Sequence, residues 1–146
     1  MVRFLFLLCF LASVNSFSQK AAVKHVVTHD RTTVICDPVT AAKSHVKWGI
    51  FPSEKAPVRK IIMNVTLGRA DSLFAAHWDY LDHIKLRKKD KKGKLVEYEI
   101  GRMLTPYGSV YNKGWNWKWK VDVTDFSPFL RDSVQIDYIH TGYEDK

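Results

Sequence analysis

Trp115-Asn116-Trp117-Lys118-Trp119-Lys120-Val121-Asp122-Val123 alternates apolar and polar residues without a break. Successive side chains of an extended chain point to opposite faces. The stretch therefore predicts a β-strand with Trp115, Trp117, Trp119, Val121 and Val123 on one face and Asn116, Lys118, Lys120 and Asp122 on the other. A continuous apolar stripe of this kind is more often the core face of a sheet than a platform for sugars. Trp115, nearest the adjoining loop, is the exception and a candidate substrate-binding residue.

The same period extends outward in both directions. C-terminal to the stripe, Thr124-Asp125 is expected to cap a short turn over Phe126 to Leu130, and Val134 to Ile139 forms the last strand. N-terminal to it, Thr105-Pro106-Tyr107-Gly108 ends a strand over Leu95 to Leu104. Trp78 to Lys88 is predicted as a strand with Trp78, Tyr80, Ile84 and Leu86 on one face and Asp79, Leu81, His83 and Lys85 on the other. A loop over Gly68 to Ala76 precedes it. Val58 to Leu67 places Ile61, Met63, Val65 and Leu67 on one face, and Ser44 to Phe51 carries Val46, Trp48 and Ile50 at spacing two. Pro52 and Pro57 bracket the turn between these two strands. Thr32 to Cys36 is a first short strand, stopped by Asp37-Pro38. About seven short strands, regular turn signals and no long amphipathic helix define an all-β chain. The expected architecture is an antiparallel jelly-roll β-sandwich that lacks its closing strand. Such a sheet would carry an unpaired edge.

Before the strands, Arg3 is followed by an apolar run from Phe4 to Ala12 and by small residues at Ser13, Ser16 and Ser18. This is the pattern of a secretory signal peptide over residues 1–18, with cleavage before Gln19 or after Ser16. The run is too short to span a bilayer, so no membrane anchor is expected. The mature chain would be secreted or periplasmic, with residues 19–43 leading into a domain over 44–146. It would hold one cysteine, Cys36, and hence no internal disulfide; Cys36 reads as a buried strand residue.

Composition fits a packed β domain: aromatics are 13% of the chain, with only 7 Gly and 5 Pro. Formal net charge is +8. Much of it lies in Lys85, Arg87, Lys88, Lys89, Lys91, Lys92 and Lys94, around Asp90 and Gly93, which reads as a solvated hairpin loop. The alternative is a patch for acidic glycans. Nucleic acid is not expected, since no aromatics interleave with these lysines. His77 and His83 share a strand face with Asp79, which is a weak metal hypothesis, since neither His-x-His nor His-Glu-x-x-His is present. Asn64-Val65-Thr66 matches the glycosylation acceptor pattern, which is common by chance.

Three stretches carry a family resemblance: His77-Trp78-Asp79-Tyr80, then Glu99-Ile100-Gly101-Arg102-Met103-Leu104-Thr105-Pro106-Tyr107, and then Val121-Asp122-Val123-Thr124-Asp125-Phe126. In this order and spacing they resemble the N-terminal domain of peptide:N-glycosidase F-type glycoamidases over residues 44–140. The resemblance implies an enzyme of two side-by-side jelly rolls that hydrolyses the amide joining N-acetylglucosamine to asparagine in N-linked glycoproteins and glycopeptides. It implies a cleft between this domain and a second jelly-roll domain or chain, without which the first is inactive, and chemistry that needs neither metal nor organic cofactor. Asp79 matches the family's catalytic aspartate, and Trp78 and Tyr80 beside it are candidate substrate-binding residues; Tyr80 stands where the family has an arginine. The alternative is a non-catalytic exported jelly-roll module that binds carbohydrate or protein.

Overall fold

The computed structural model describes residues 22–34, 43–69 and 79–141. It is all-β. Six strands occur among the described residues: β1 (Ser44–Ile50), β2 (Ile62–Gly68), β3 (Leu81–Lys89), β4 (Leu95–Leu104), β5 (Asn116–Asp122) and β6 (Ser133–Ile139). Single 3₁₀ turns lie at Gly108–Val110 and Thr124–Phe126.

Every pairing is antiparallel. One sheet has the order β1-β6-β3-β4 and the other pairs β2 with β5. The pairing is nested: first strand with last, second with fifth, third with fourth as a hairpin. The inner faces meet. Met63, Val65 and Leu67 of β2 and Trp117, Trp119 and Val121 of β5 pack against Ile84, Leu86, Ile100, Met103, Val134, Ile136 and Tyr138 of the larger sheet. Leu86 and Val134 are fully enclosed. Trp117 and Trp119 lie nearly parallel, 6.3 Å apart, on the core face that their alternation predicts.

A bulge between Ile84 and Lys85 leaves Ile100 as an extra residue on β4. Gly101 follows it because the smaller sheet approaches closely: a Cβ there would stand 2.7 Å from Met63 Cε and 3.1 Å from the Trp119 ring. At the far end, residues 90–94 form the β3–β4 turn. Asp90 Oδ1 accepts the Lys92 and Lys94 amides at 2.8 and 2.9 Å, and Gly93 takes φ 79°, a left-handed value that suits glycine. The lysines of this turn are exposed, so this part of the basic run is a solvated hairpin, whereas Lys85, Arg87 and Lys88 lie half-buried on β3.

The structure corrects several expectations. Thr32 to Val34 are not in a strand; Ile35 and Cys36 lie outside the described residues, among which six strands are present. On β1 the face is reversed: Trp48 and Ile50 are 60% and 64% exposed, and Gly49 faces inward against Phe51 and Thr28. The inward position lacks a side chain, so apolar spacing marked the outer face. Val58 to Ile61 precede β2 and are not part of a strand. Thr124 does not cap the turn after β5. Its amide and hydroxyl instead donate to Asp122 Oδ1 at 3.0 and 2.5 Å, while its oxygen accepts the Ile61 amide at 3.0 Å.

Candidate functional site

The start of β3, the end of β4 and the end of β6 converge at the sandwich end opposite the basic turn. Leu81 pairs with Leu104, and His83 with Ile139. Just before β3, the Tyr80 amide donates to Thr105 Oγ1 at 2.9 Å, and the Thr105 amide donates to the Tyr80 carbonyl at 2.8 Å. This clamp fixes the backbone that carries Asp79. The Asp79 side chain is exposed, and among the described residues no hydrogen bond or ion pair reaches its carboxylate. Trp78 and His77 lie outside the described residues.

Beneath this mouth sits a buried polar cluster. Asp82, 1% exposed, accepts the Tyr138 hydroxyl at 2.6 Å. It also accepts His140 Nδ1–H at 3.0 and 3.1 Å through its two oxygens, and the Thr141 amide at 3.3 Å. The Thr141 hydroxyl donates to the Leu81 carbonyl at 2.8 Å, tying the chain after β6 to the first residue of β3. The Tyr80 and His140 rings meet edge to face, 5.2 Å apart. Burial, and then the Asp82 charge, push the Tyr138 phenol far above its ordinary value, so the hydroxyl stays a donor. A buried carboxylate persists because several donors replace its water. Asp82 is therefore a brace for the strand mouth. It lies two residues before Ile84 on the inward face of β3, but its partners lie more than fifty residues downstream, beyond any local pattern.

Trp115 lies at this same end, just before β5, where its carbonyl faces Gly68 of β2. It is half-buried and its ring packs on Tyr111 at 5.4 Å. Its indole Nε1 is buried with no hydrogen-bond partner among the described residues. Loop 105–115 thus begins at the Tyr80 clamp and ends at Trp115, so Asp79, Tyr80 and Trp115 gather at one end of the sandwich.

On the outer face of the larger sheet, the Glu99 carboxylate lies between His83 Nδ1 at 2.8 Å and Arg102 Nε at 2.7 Å. The Arg102 hydrogen bond first, and that of His83 second, hold Glu99 below the usual carboxylate range. His83 is engaged there. Further along the face, Asp137 is fully buried; it accepts the Ser44 hydroxyl at 2.7 Å and pairs with Arg87 Nη2 at 2.9 Å. Arg87 Nε also reaches Glu97 at 2.5 Å. No group of three or more potential metal ligands occurs among the described residues. No helix among them is long and apolar enough to cross a membrane.

The fold and the cluster at its end define the class: an all-β protein of two facing antiparallel sheets, with an open carboxylate over a braced strand mouth. Comparison with known proteins finds no matching family model, curated protein or solved structure.

Proposed function

We propose that the chain is the N-terminal jelly-roll part of an exported glycoamidase of the peptide:N-glycosidase F type, hydrolysing the amide between N-acetylglucosamine and asparagine in glycoproteins. One observation carries the reading. The Asp79 carboxylate is exposed at the mouth of β3 with no bonding partner among the described residues, while the neighbouring Asp82 is consumed by structural hydrogen bonds. A general base must be free to reach a water; a brace must not. The nested pairing β1 with β6, β2 with β5 and β3 with β4 supports a jelly roll, which is a long antiparallel hairpin rolled onto itself. The Ile100-Gly101-Arg102 stretch of the resemblance falls on β4, where Gly101 permits close sheet packing.

In this reading Asp79 takes a proton from a water that attacks the side-chain carbonyl carbon. The C–N bond breaks, the nitrogen leaves as a glycosylamine after gaining a proton, and an aspartate remains in the peptide. Tyr80 and Trp115 offer flat, partly exposed rings to the sugar, with Trp78 assigned alongside them by the resemblance. A second jelly-roll domain or chain completes the cleft. In this reading residues 1–18 direct export, with cleavage before Gln19 or after Ser16.

The test is glycan release from an asparagine-linked glycopeptide. The chain alone is expected to release none. Joined or mixed with a complementary second jelly-roll domain, it releases the glycan, and Asp79→Asn abolishes that release. Undiminished release by the Asp79→Asn variant overturns the assignment. Glycopeptide binding without release in every arrangement establishes the non-catalytic module instead.

A further inference from the structure

At the opposite end of the molecule from Asp79, the outer face of the larger sheet holds an open groove of about 560 Å³. Its floor crosses three strands in register: Trp48 on β1 pairs with Gln135 on β6, and Gln135 pairs with Arg87 on β3. Lys89 and Leu95, paired with each other where β3 turns into β4, close one side.

The chemistry of this lining is specific. Trp48 exposes 60% of its surface and Leu95 51%, so a flat aromatic face and an aliphatic patch lie open to water. Arg87 is committed to Asp137 and Glu97, and the Lys88 ammonium donates to the Arg131 carbonyl at 3.2 Å. Lys89 and Gln135 have no side-chain hydrogen bond or ion pair among the described residues. The groove therefore offers one stacking ring, one amide with both donor and acceptor capacity, and one uncommitted cation. The exposed Lys91, Lys92 and Lys94 of the adjoining turn add positive field. A stable protein interface takes about 20–30 residues from each side, far more than line this groove. An aromatic face with an amide and a cation beside it matches instead a pyranose ring that carries an acidic group.

We propose that this groove binds acidic saccharides. Trp48 stacks on a sugar ring, Gln135 hydrogen-bonds its hydroxyls, and Lys89 pairs with a carboxylate or sulfate. The site is independent of the amidase reading: its residues lie at the other end of the sheet from Asp79.

The purified chain is titrated with a sulfated oligosaccharide, a uronic-acid oligosaccharide and a neutral glucan oligosaccharide of equal length. At least one acidic ligand is expected to bind, and which one identifies the acidic group; the neutral ligand binds about tenfold or more weakly. Trp48→Ala weakens acidic binding about tenfold, the size of one aromatic contact, while Trp48→Phe keeps most of it. Lys89→Gln reduces the preference for acid, and a change at the far end of the sheet, Leu104→Ala, leaves acidic-saccharide binding as it is. Trp48 is exposed, so these variants retain the fold. Failure of both acidic ligands to bind overturns the proposal. So does binding unaffected by Trp48→Ala but lost when Lys91, Lys92 and Lys94 are all changed to Gln, which marks diffuse charge attraction. Tighter binding of a single-stranded oligonucleotide than of either acidic saccharide also overturns it.

Discussion

The Tyr138 hydroxyl donates a 2.6 Å hydrogen bond to Asp82 Oδ2, joining β6 to β3 inside the core. Asp82 is almost wholly buried, and the bond is one of several that replace its hydration. Tyr138→Phe removes one donor and leaves a buried charge less well satisfied. The expected loss is about 1–3 kcal/mol in the unfolding free energy, read from the denaturant midpoint.

The same phenol sets an alkaline limit. Burial first, and then the Asp82 charge, raise its folded pKa far above the unfolded value. The contribution is therefore intact below about pH 10, the unfolded tyrosine value. Above that pH the unfolded chain gains stability by ionising this group and the folded chain does not. Stability falls as pH rises from there, and in Tyr138→Phe the fall is shallower. Identical alkaline slopes in the two proteins would contradict the buried, un-ionised phenol.

Asp79 and Asp82 lie three residues apart and have opposite expected phenotypes. Asp79→Asn changes an exposed side chain without a partner among the described residues, so the midpoint of thermal unfolding stays put. Asp82→Asn replaces an acceptor of three donor groups with an amide that cannot accept them all. It lowers stability by about 1–3 kcal/mol. A destabilised Asp79→Asn protein would place that residue among the structural carboxylates.

The contrast marks what the sequence makes legible. The faces of β2 and β5 follow from alternation because both Met63-Val65-Leu67 and Trp117-Trp119-Val121 have a core to meet. The span of β4 is fixed by the basic turn before it and by Pro106 after it. β1 misleads because its inward position is Gly49, so the apolar residues at Trp48 and Ile50 mark the solvent side. Asp82 is invisible for a different reason. A carboxylate on an inward face reads as a break in the pattern until Tyr138, His140 and Thr141 are brought to it by strand pairing. Asp79 is reached through the resemblance, since nothing in its local spacing distinguishes it from any solvated carboxylate.

On the outer face, Glu99 is shared by Arg102 and His83. Its folded pKa lies below the unfolded one, the Arg102 bond being the larger cause. The stabilisation is present above about pH 4.3, the unfolded glutamate value, and disappears as pH falls through the folded value. The site is largely open to water, so the effect is small and screened by salt. Glu99→Gln is expected to lower the unfolding midpoint slightly at neutral pH and low salt. It should match the parent protein at high salt or below the folded value. A difference that survives both conditions would mean Glu99 acts through packing rather than charge.

Gly101 gives the sharpest test of the close approach between the sheets. A methyl group there would meet Met63 Cε at 2.7 Å and the Trp119 ring at 3.1 and 3.2 Å. The Met63 terminus can swing aside, but Trp119 packs beside Trp117 against the core and has little room to retreat. Gly101 does not occupy a left-handed conformation, so backbone strain plays no part and the cost is steric. Gly101→Ala is expected to destabilise the protein by about 1–3 kcal/mol, the usual range for overpacking. Adding Met63→Ala to that variant should recover less than half of the loss, because the Trp119 contact remains. Full recovery in the double variant would show that Met63 alone sets the spacing between the sheets, and an unchanged midpoint in Gly101→Ala would show that the sheets stand further apart than the 2.7 Å approach requires.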